Sequence, residues 1–418
     1  MSDSEDYKIV STDREILRSL AVKVREIAEK PAMIQRRELW LKHDRGQGEM
    51  PMVLAESGGV LDDFVPLSSL KCTEEWARKE ERDLRHKIAN HEIIDDDHVV
   101  EPYINCGWDV TISDYCGVIE KKRGNVDGSF GSYVWESPIK DLSRDFEKLH
   151  TRQCSVDRAK TAQYKSMLED VFSDILTVRM RGGYWWTVGL SWPAIELIGL
   201  EKLMLAMYDE PEGLHRLMAF LRDDHIAVIK WLEEEKLFNL NNENDYIGSG
   251  SRGYTDELPQ ADFSGVVRAK DLWILSESQE TVGVSPEMFE EFIFPYQLPI
   301  IEMFGLSYYG CCEALDKRWE IVSRIPNLRR VSVAPWCDQK FMAEALGSKY
   351  VFSRKPNPAL ISMPELDEDQ IRQDIRNTLD IAKGCNIELV MKDVHNIHHQ
   401  SERLGRWVQI ARQEVARK

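Results

Sequence analysis

What most constrains the fold of this chain is an alternation. From residue 157 onward, short apolar runs of strand length take turns with amphipathic stretches of helical period. "DLWILSES" (271–278), "LSYYG" (306–310), "LRRVSVA" (328–334), "KYVFSRK" (349–355) and "IELVMKDV" (387–394) each read as a strand. "PMVLAE" (51–56), "HVVEPYI" (98–104), "LFNLNN" (237–242) and the glycine-interrupted "ILTVRMRGG" (175–183) extend the series to about eight. Strands that alternate with helices pair in parallel through crossover connections.

Helix signals fill the gaps. Residues 12–42 carry apolar side chains at helical spacing, and Ser285-Pro286 marks a helix start with a capping residue and a first-turn proline. Asp367 and Gln370 form a cap at the start of another helix. No GxGxxG or GxxxxGKS/T follows an early strand, so the usual motive for an open nucleotide-binding sheet is missing. The expected fold class is α/β, a (β/α)8 TIM barrel. Residues 1–50 form an N-terminal helical extension, 51–418 the barrel, and about 105–156 an insertion after the second strand.

With 72 acidic against 54 basic residues the net charge is −18, which argues against nucleic acid as a main partner. No run approaches the roughly 18 apolar residues of a membrane span, and the acidic start "MSDSEDYKIV" does not read as a secretory leader. Eight cysteines scattered over 418 residues suit reduced thiols rather than a disulfide frame. These features point to a cytoplasmic protein that engages neither membrane nor nucleic acid.

In a barrel, chemistry sits just beyond the C-terminal strand ends. Here those ends carry Glu56, then Asn242 and Glu243, then Glu277 to Glu280, then Cys311-Cys312-Glu313, then Arg354-Lys355, then Lys392-Asp393-Val394-His395. Such a concentration of reactive groups points to an enzyme. The vicinal thiols Cys311 and Cys312 read as core filling, a redox pair, or metal ligands. The metal reading gains from Glu313 beside them and His395 at another strand end, since a catalytic zinc takes about three protein ligands. His398 and His399 read as solvated residues near the last helix. Trp185 and Trp186 after Gly182-Gly183 either pack in the core or wall a pocket for a planar ligand. Arg354 or Lys355 either braces a turn or binds a substrate carboxylate.

"IELIGLEKLMLAMYDEPEGLHRLMAFL", "VSPEMFEEFIFPYQLPII" and the order "YYGCCE … NLRRVSVAPW … IELVMKDVHNI … RLGRWV" resemble the uroporphyrinogen decarboxylase superfamily. The resemblance covers the chain from about residue 155 to the end, and the first 150 residues loosely. It implies a (β/α)8 barrel and either porphyrinogen decarboxylation or zinc-dependent methyl transfer with a corrinoid protein. Decarboxylases of that family hold substrate carboxylates with an arginine-rich stretch near the N-terminus. Here the comparable segment, "PMVLAESGGVLDDF", has no arginine and presents Glu56, Asp62 and Asp63, the wrong sign for a polycarboxylate.

The methyltransferase branch places His-x-Cys at one strand end and a further cysteine near the last strand, all on zinc. Tyr309-Gly310-Cys311 stands at the first place and His395 at the second, so the resemblance implies zinc on Cys311 and His395, with Cys312 or Glu243 supplying the remaining ligand. It further implies Glu243, Glu313, Tyr309 and Lys392 as catalytic residues, and Glu56, Trp185, Trp186, Asn242 and Arg354 around the substrate. The implied function is methyl transfer between a small, methoxylated aromatic or similar compound and a corrinoid (cobalamin) carried by a partner protein. Decarboxylation of a small or tetrapyrrole acid, with Arg354 or Lys392 on the carboxylate, is the alternative. A monomer or homodimer is expected.

Overall fold

The computed structural model describes residues 7–117, 119, 121–123 and 133–417. Helix α1 (Ser11–Ala28) buries Leu17, Leu20, Ala21, Val24 and Ile27 along one face. The expected single helix over 12–42 is two: Pro31 at the first position starts α2 (Pro31–Asp44) afresh. Helix α3 (Glu75–Ala89) lacks a cap of its own. The buried carboxylate of Asp13 in α1 supplies one, accepting from the backbone N–H of Thr73 and Glu74 at 3.0 Å each.

Eight parallel strands carry the fold: β1 (Met52–Ala55), β2 (Tyr103–Cys106), β3 (Thr177–Met180), β4 (Trp273–Ser276), β5 (Leu306–Tyr309), β6 (Leu328–Val333), β7 (Val351–Arg354) and β8 (Asn386–Met391). Six of them form one sheet in the order β1-β8-β7-β6-β5-β4, and β2 pairs with β3 in a second. In the larger sheet Ala55 faces Met391, Ser276 faces Tyr309 and Val333 faces Arg354. The C-terminal strand ends are therefore level and make one rim. The result is a mixed α/β architecture of TIM-barrel-like type around a central six-stranded parallel sheet. One large apolar core packs that sheet against its helices; a second joins Ile104 and Cys106 of β2 to α1, α3 and the helix Arg158–Phe172.

Two expectations shift, and the insertion keeps the short strands expected of it. The segment 98–104 becomes a strand only from Tyr103, because the carbonyls of His98 and Val99 are taken by the side chains of Arg36 and Asn244. "LFNLNN" is not a strand: the Asn241 amide bonds both the N–H and the C=O of Trp273, at 2.9 and 3.0 Å, in place of a backbone ladder. The insertion holds two small antiparallel pairs, Val110–Ile112 with Cys154–Val156 and Lys121–Arg123 with Tyr133–Trp135. No helix among the described residues is long and apolar enough to cross a membrane.

The sheet's interior is ionic at its N-terminal end. Arg330 of β6 is fully buried and donates to Asp44 of α2 and Glu388 of β8, both also fully buried, at 3.0 Å each. Its Nη1 also donates to Ser251 Oγ at 2.6 Å. His43 stands 3.8 Å from Glu388, and burial drives its pKa down to about 3, so the ring is neutral. A buried ion pair gains little over apolar packing, but losing one partner strands a desolvated charge. Arg330→Met should therefore lower unfolding free energy by about 3–5 kcal/mol in urea titrations. A loss below about 1 kcal/mol would show that Asp44 and Glu388 do not depend on it.

Candidate functional site

The rim gathers side chains from β1, β4, β5 and β8, together with a hairpin that enters the sheet's concave side. That hairpin pairs Tyr246–Gly248 with Ser251–Arg252. A Cβ on Gly250 (φ +89°) would lie 2.5 Å from Val390 Cγ1 and 3.1 Å from the Glu56 carboxyl carbon. Only glycine lets the tip, with Ser249, approach β8 so closely.

Lys392 follows β8 and turns inward. Its Nζ lies 3.1 Å from Cys311 Sγ, 3.2 Å from Ser249 Oγ and 3.1 Å from Asp393 Oδ2. Cys312 is exposed; its Sγ sits 3.6 Å from that of Cys311 and donates to Asp393 at 3.3 Å. The Cys311 thiol titrates below the ordinary cysteine value, because Cys312 hydrogen-bonds to it and Lys392 stands beside it, against the cost of burial. Cys312 is pushed up by that same contact and by burial. Burial opposes the charge of Lys392, but Cys311, Asp393 and Cys312 outweigh it and hold its pKa above the lysine range. These contacts favour the thiolate form of Cys311 and the ammonium form of Lys392.

Glu313, expected to be catalytic, shapes this turn instead. It is buried, and its two oxygens accept the N–H groups of Ser278 (2.9 Å) and Cys311 (2.8 Å), stapling the end of β4 to the end of β5. Tyr309 also falls outside the expected role. Strand neighbours point to opposite faces: Tyr308 faces inward and donates to Ser353 Oγ at 2.9 Å. Tyr309 faces the helices, donating to Gln297 Oε1 at 2.9 Å.

The same alternation corrects Arg354. Its guanidinium turns outward to the Val333 and Lys355 carbonyls and to Asp374. A carboxylate-holding role is thus closed to it. Lys355 is the inward residue, bonded to Ser353, with a pKa lowered to about 7 by burial.

His395 does not join the thiols. It is exposed, and its Nδ1 would be 2.8 Å from a Cβ on Gly59. Among the described residues no group of three or more His, Cys, Asp and Glu side chains is arranged to hold a metal ion. The expected zinc set of Cys311, Cys312 and His395 is not assembled, and the Lys392 ammonium occupies the near side of the Cys311 sulfur. These residues do not fit a zinc centre as they stand.

Glu243 and Asn242, expected in catalysis and substrate binding, are engaged elsewhere. Glu243 pairs with Arg179 and lies 3.7 Å from Arg181, and Asn242 donates to the Leu258 carbonyl at 2.7 Å. Trp185 and Trp186 wall a cavity of about 710 Å³. Trp186 is 45% exposed and its Nε1 donates to Tyr246 Oη at 3.2 Å. Burial first, then Glu56, lifts the Tyr246 phenol to about 12. Glu56 lines a second cavity of about 310 Å³, between β1 and β2. Sequence reasoning passed over Tyr246 and Ser249; the one available signal was the glycine-rich run "IGSGSRGY".

No family model matches the sequence, and no curated protein matches it. A solved structure, a methyltransferase from Methanosarcina mazei, is similar with a TM-score of 0.51 and 12% sequence identity, over 90% of this chain and 98% of that one. At that identity the likeness is one of fold.

If Lys392 holds the Cys311 thiolate, Lys392→Met should raise the midpoint of Cys311 ionisation by about one to three pH units. Thiolate absorbance in the ultraviolet, with Cys311→Ser as the blank, reads this directly. An unmoved midpoint would mean the ammonium does not act on the sulfur.

Proposed function

We propose that the chain transfers a methyl group between a small donor and a corrinoid presented by a partner protein, with Lys392 as its central catalytic residue. The observation that carries this is the Lys392 ammonium, fixed 3.1 Å from Cys311 Sγ at the C-terminal rim. The fold likeness to a methyltransferase and the sequence runs that resemble the uroporphyrinogen decarboxylase superfamily support it. In this reading the two parallel sheets are arcs of one (β/α)8 barrel, whose C-terminal mouth is the working face.

Transfer requires the bond between the methyl carbon and the donor heteroatom to break with its electron pair left on the heteroatom. The acceptor's electron pair forms the new bond to carbon from the opposite side. Lys392 meets the charge that develops on the leaving atom. A preorganised cation in a water-poor site stabilises such charge far better than solvent does. Cys311 and Asp393 keep Lys392 charged and in place, so they act as positioning residues. No step runs through zinc. Beside Cys312, Trp336 and Val282 are 66% and 60% exposed and offer apolar contact to a docking protein.

The test mixes the protein with a reduced corrinoid protein and a panel of methoxyarenes, methanol and methylamines, and follows corrinoid methylation by mass spectrometry. One donor class should react, and Lys392→Met should lower kcat about 10²–10³-fold with KM for the donor little changed. No methylation from any donor, or an undiminished Lys392→Met, would overturn the proposal.

A further inference from the structure

The 310 Å³ cavity between β1 and β2 has a charge pattern that the residues at the rim do not explain. Its wall carries Lys87, Arg179 and Arg252 and the carboxylates of Glu56, Glu101 and Asp245, with Ser57, His86 and His98 besides. Asp245 is taken up by Arg181, and Arg179 is neutralised by Glu101 at 3.1 Å and by Glu243. Lys87 and Arg252 are not: among the described residues neither makes an ion pair. Lys87 Nζ has the Tyr103 carbonyl at 3.0 Å, and burial pulls its pKa below the lysine range.

Arg252 donates to His98 Nε2, which fixes that ring's tautomer. A guanidinium can only donate, so Nε2 accepts, and Nδ1–H must donate to Asp96, 2.6 Å away. His98 is thus a neutral prop that aims Arg252 without cancelling its charge. Arg252 Nε is buried with no partner, as are Asn90 Oδ1 and Asn244 Oδ1 on the same wall. Ser57 Oγ, 2.7 Å from His86 Nε2, adds a hydroxyl that can donate or accept. Two desolvated cations and an orphaned donor facing one cavity are costly unless an anion fills it.

We propose that this cavity takes the carboxylate of a small ring compound, so that the methyl donor is an anionic arene held by Arg252 and Lys87. The inference rests on the methyl-transfer reading above and names its substrate class. The volume suits one substituted ring. Glu56 lines the same cavity and lies beside the Gly250 tip of the hairpin whose Ser249 holds Lys392. In the proposal, a carboxylate held by Arg252 and Lys87 leaves the rest of the ring to extend past Glu56 toward that hairpin.

Calorimetry on the purified chain, without any corrinoid protein, compares 4-methoxybenzoate with 4-methoxybenzyl alcohol and inorganic phosphate. The acid should bind at least about tenfold more tightly than the alcohol, as a charge-assisted contact supplies. Arg252→Gln should weaken the acid about 10–100-fold and leave the alcohol within about twofold. Lys87→Met, on a different element, gives a second reading if Arg252→Gln does not fold. Equal binding of acid and alcohol, indifference of the acid to both variants, or tighter binding of phosphate would overturn the proposal. Because no methyl transfer is involved, discrimination between acid and alcohol survives a failure of the transfer assay, and the two readings fall separately.

Discussion

The guanidinium of Arg330 is the point on which the remaining structure turns. It is fully buried, and its two carboxylate partners come from elements far apart in the chain, Asp44 in α2 and Glu388 in β8. Its third bond, to Ser251, reaches the hairpin. Ser251 also donates to Glu388, and two residues away Ser249 receives Lys392. One desolvated cation thereby ties α2, β6 and β8 to the hairpin that meets Lys392. In a low-dielectric interior a shift that parted these charges would strand them, which restricts the depth of the hairpin.

That depth sets the chemistry of the rim. Glu313 stands between two strand ends and holds the Cys311 backbone by its N–H, leaving the sulfur free to face Lys392. Cys312 is pushed toward the thiol form, and its single S–H lies between Cys311 and the Asp393 carboxylate. The Cys312 contact first, and the Lys392 ammonium after it, draw the Cys311 thiol downward. The carboxylate of Asp393 completes the set. A histidine three residues past Lys392 reaches outward, because the chain at Asp393 turns through a positive φ of 57° and carries His395 to the surface.

Much of this was legible in the sequence. Strands at 52–55, 273–276, 306–309, 328–333, 351–354 and 386–391 lie within the apolar runs that announced them, and Ser285 and Asp367 cap the helices they were assigned to. Cys311 and Lys392, each named as a strand-end residue, meet although β6 and β7 separate their strands in the sheet. What was not legible is which way each side chain faces. Tyr309 and Arg354 were placed at the site by position, and the two-residue period of a strand turns each to the outer face while Tyr308 and Lys355 point in. The segment 237–242 carries a strand's composition, but a side-chain amide replaced its ladder. The hairpin escaped notice because its information lies in glycines that permit contact with β8, a contact no local pattern encodes. The cavity at Arg252 is hidden for a like reason, since its residues come from β1, α3 and the hairpin.

The central claim is that Lys392 meets the charge on the leaving atom. It is tested most directly by the dependence of kcat/KM on leaving-group acidity, across aryl methyl ethers of graded phenol acidity, in the natural protein and in Lys392→Met. The account predicts a shallow dependence in the natural protein, because the ammonium already stabilises the phenolate, and a markedly steeper one in the variant. Equal slopes in the two proteins would contradict it.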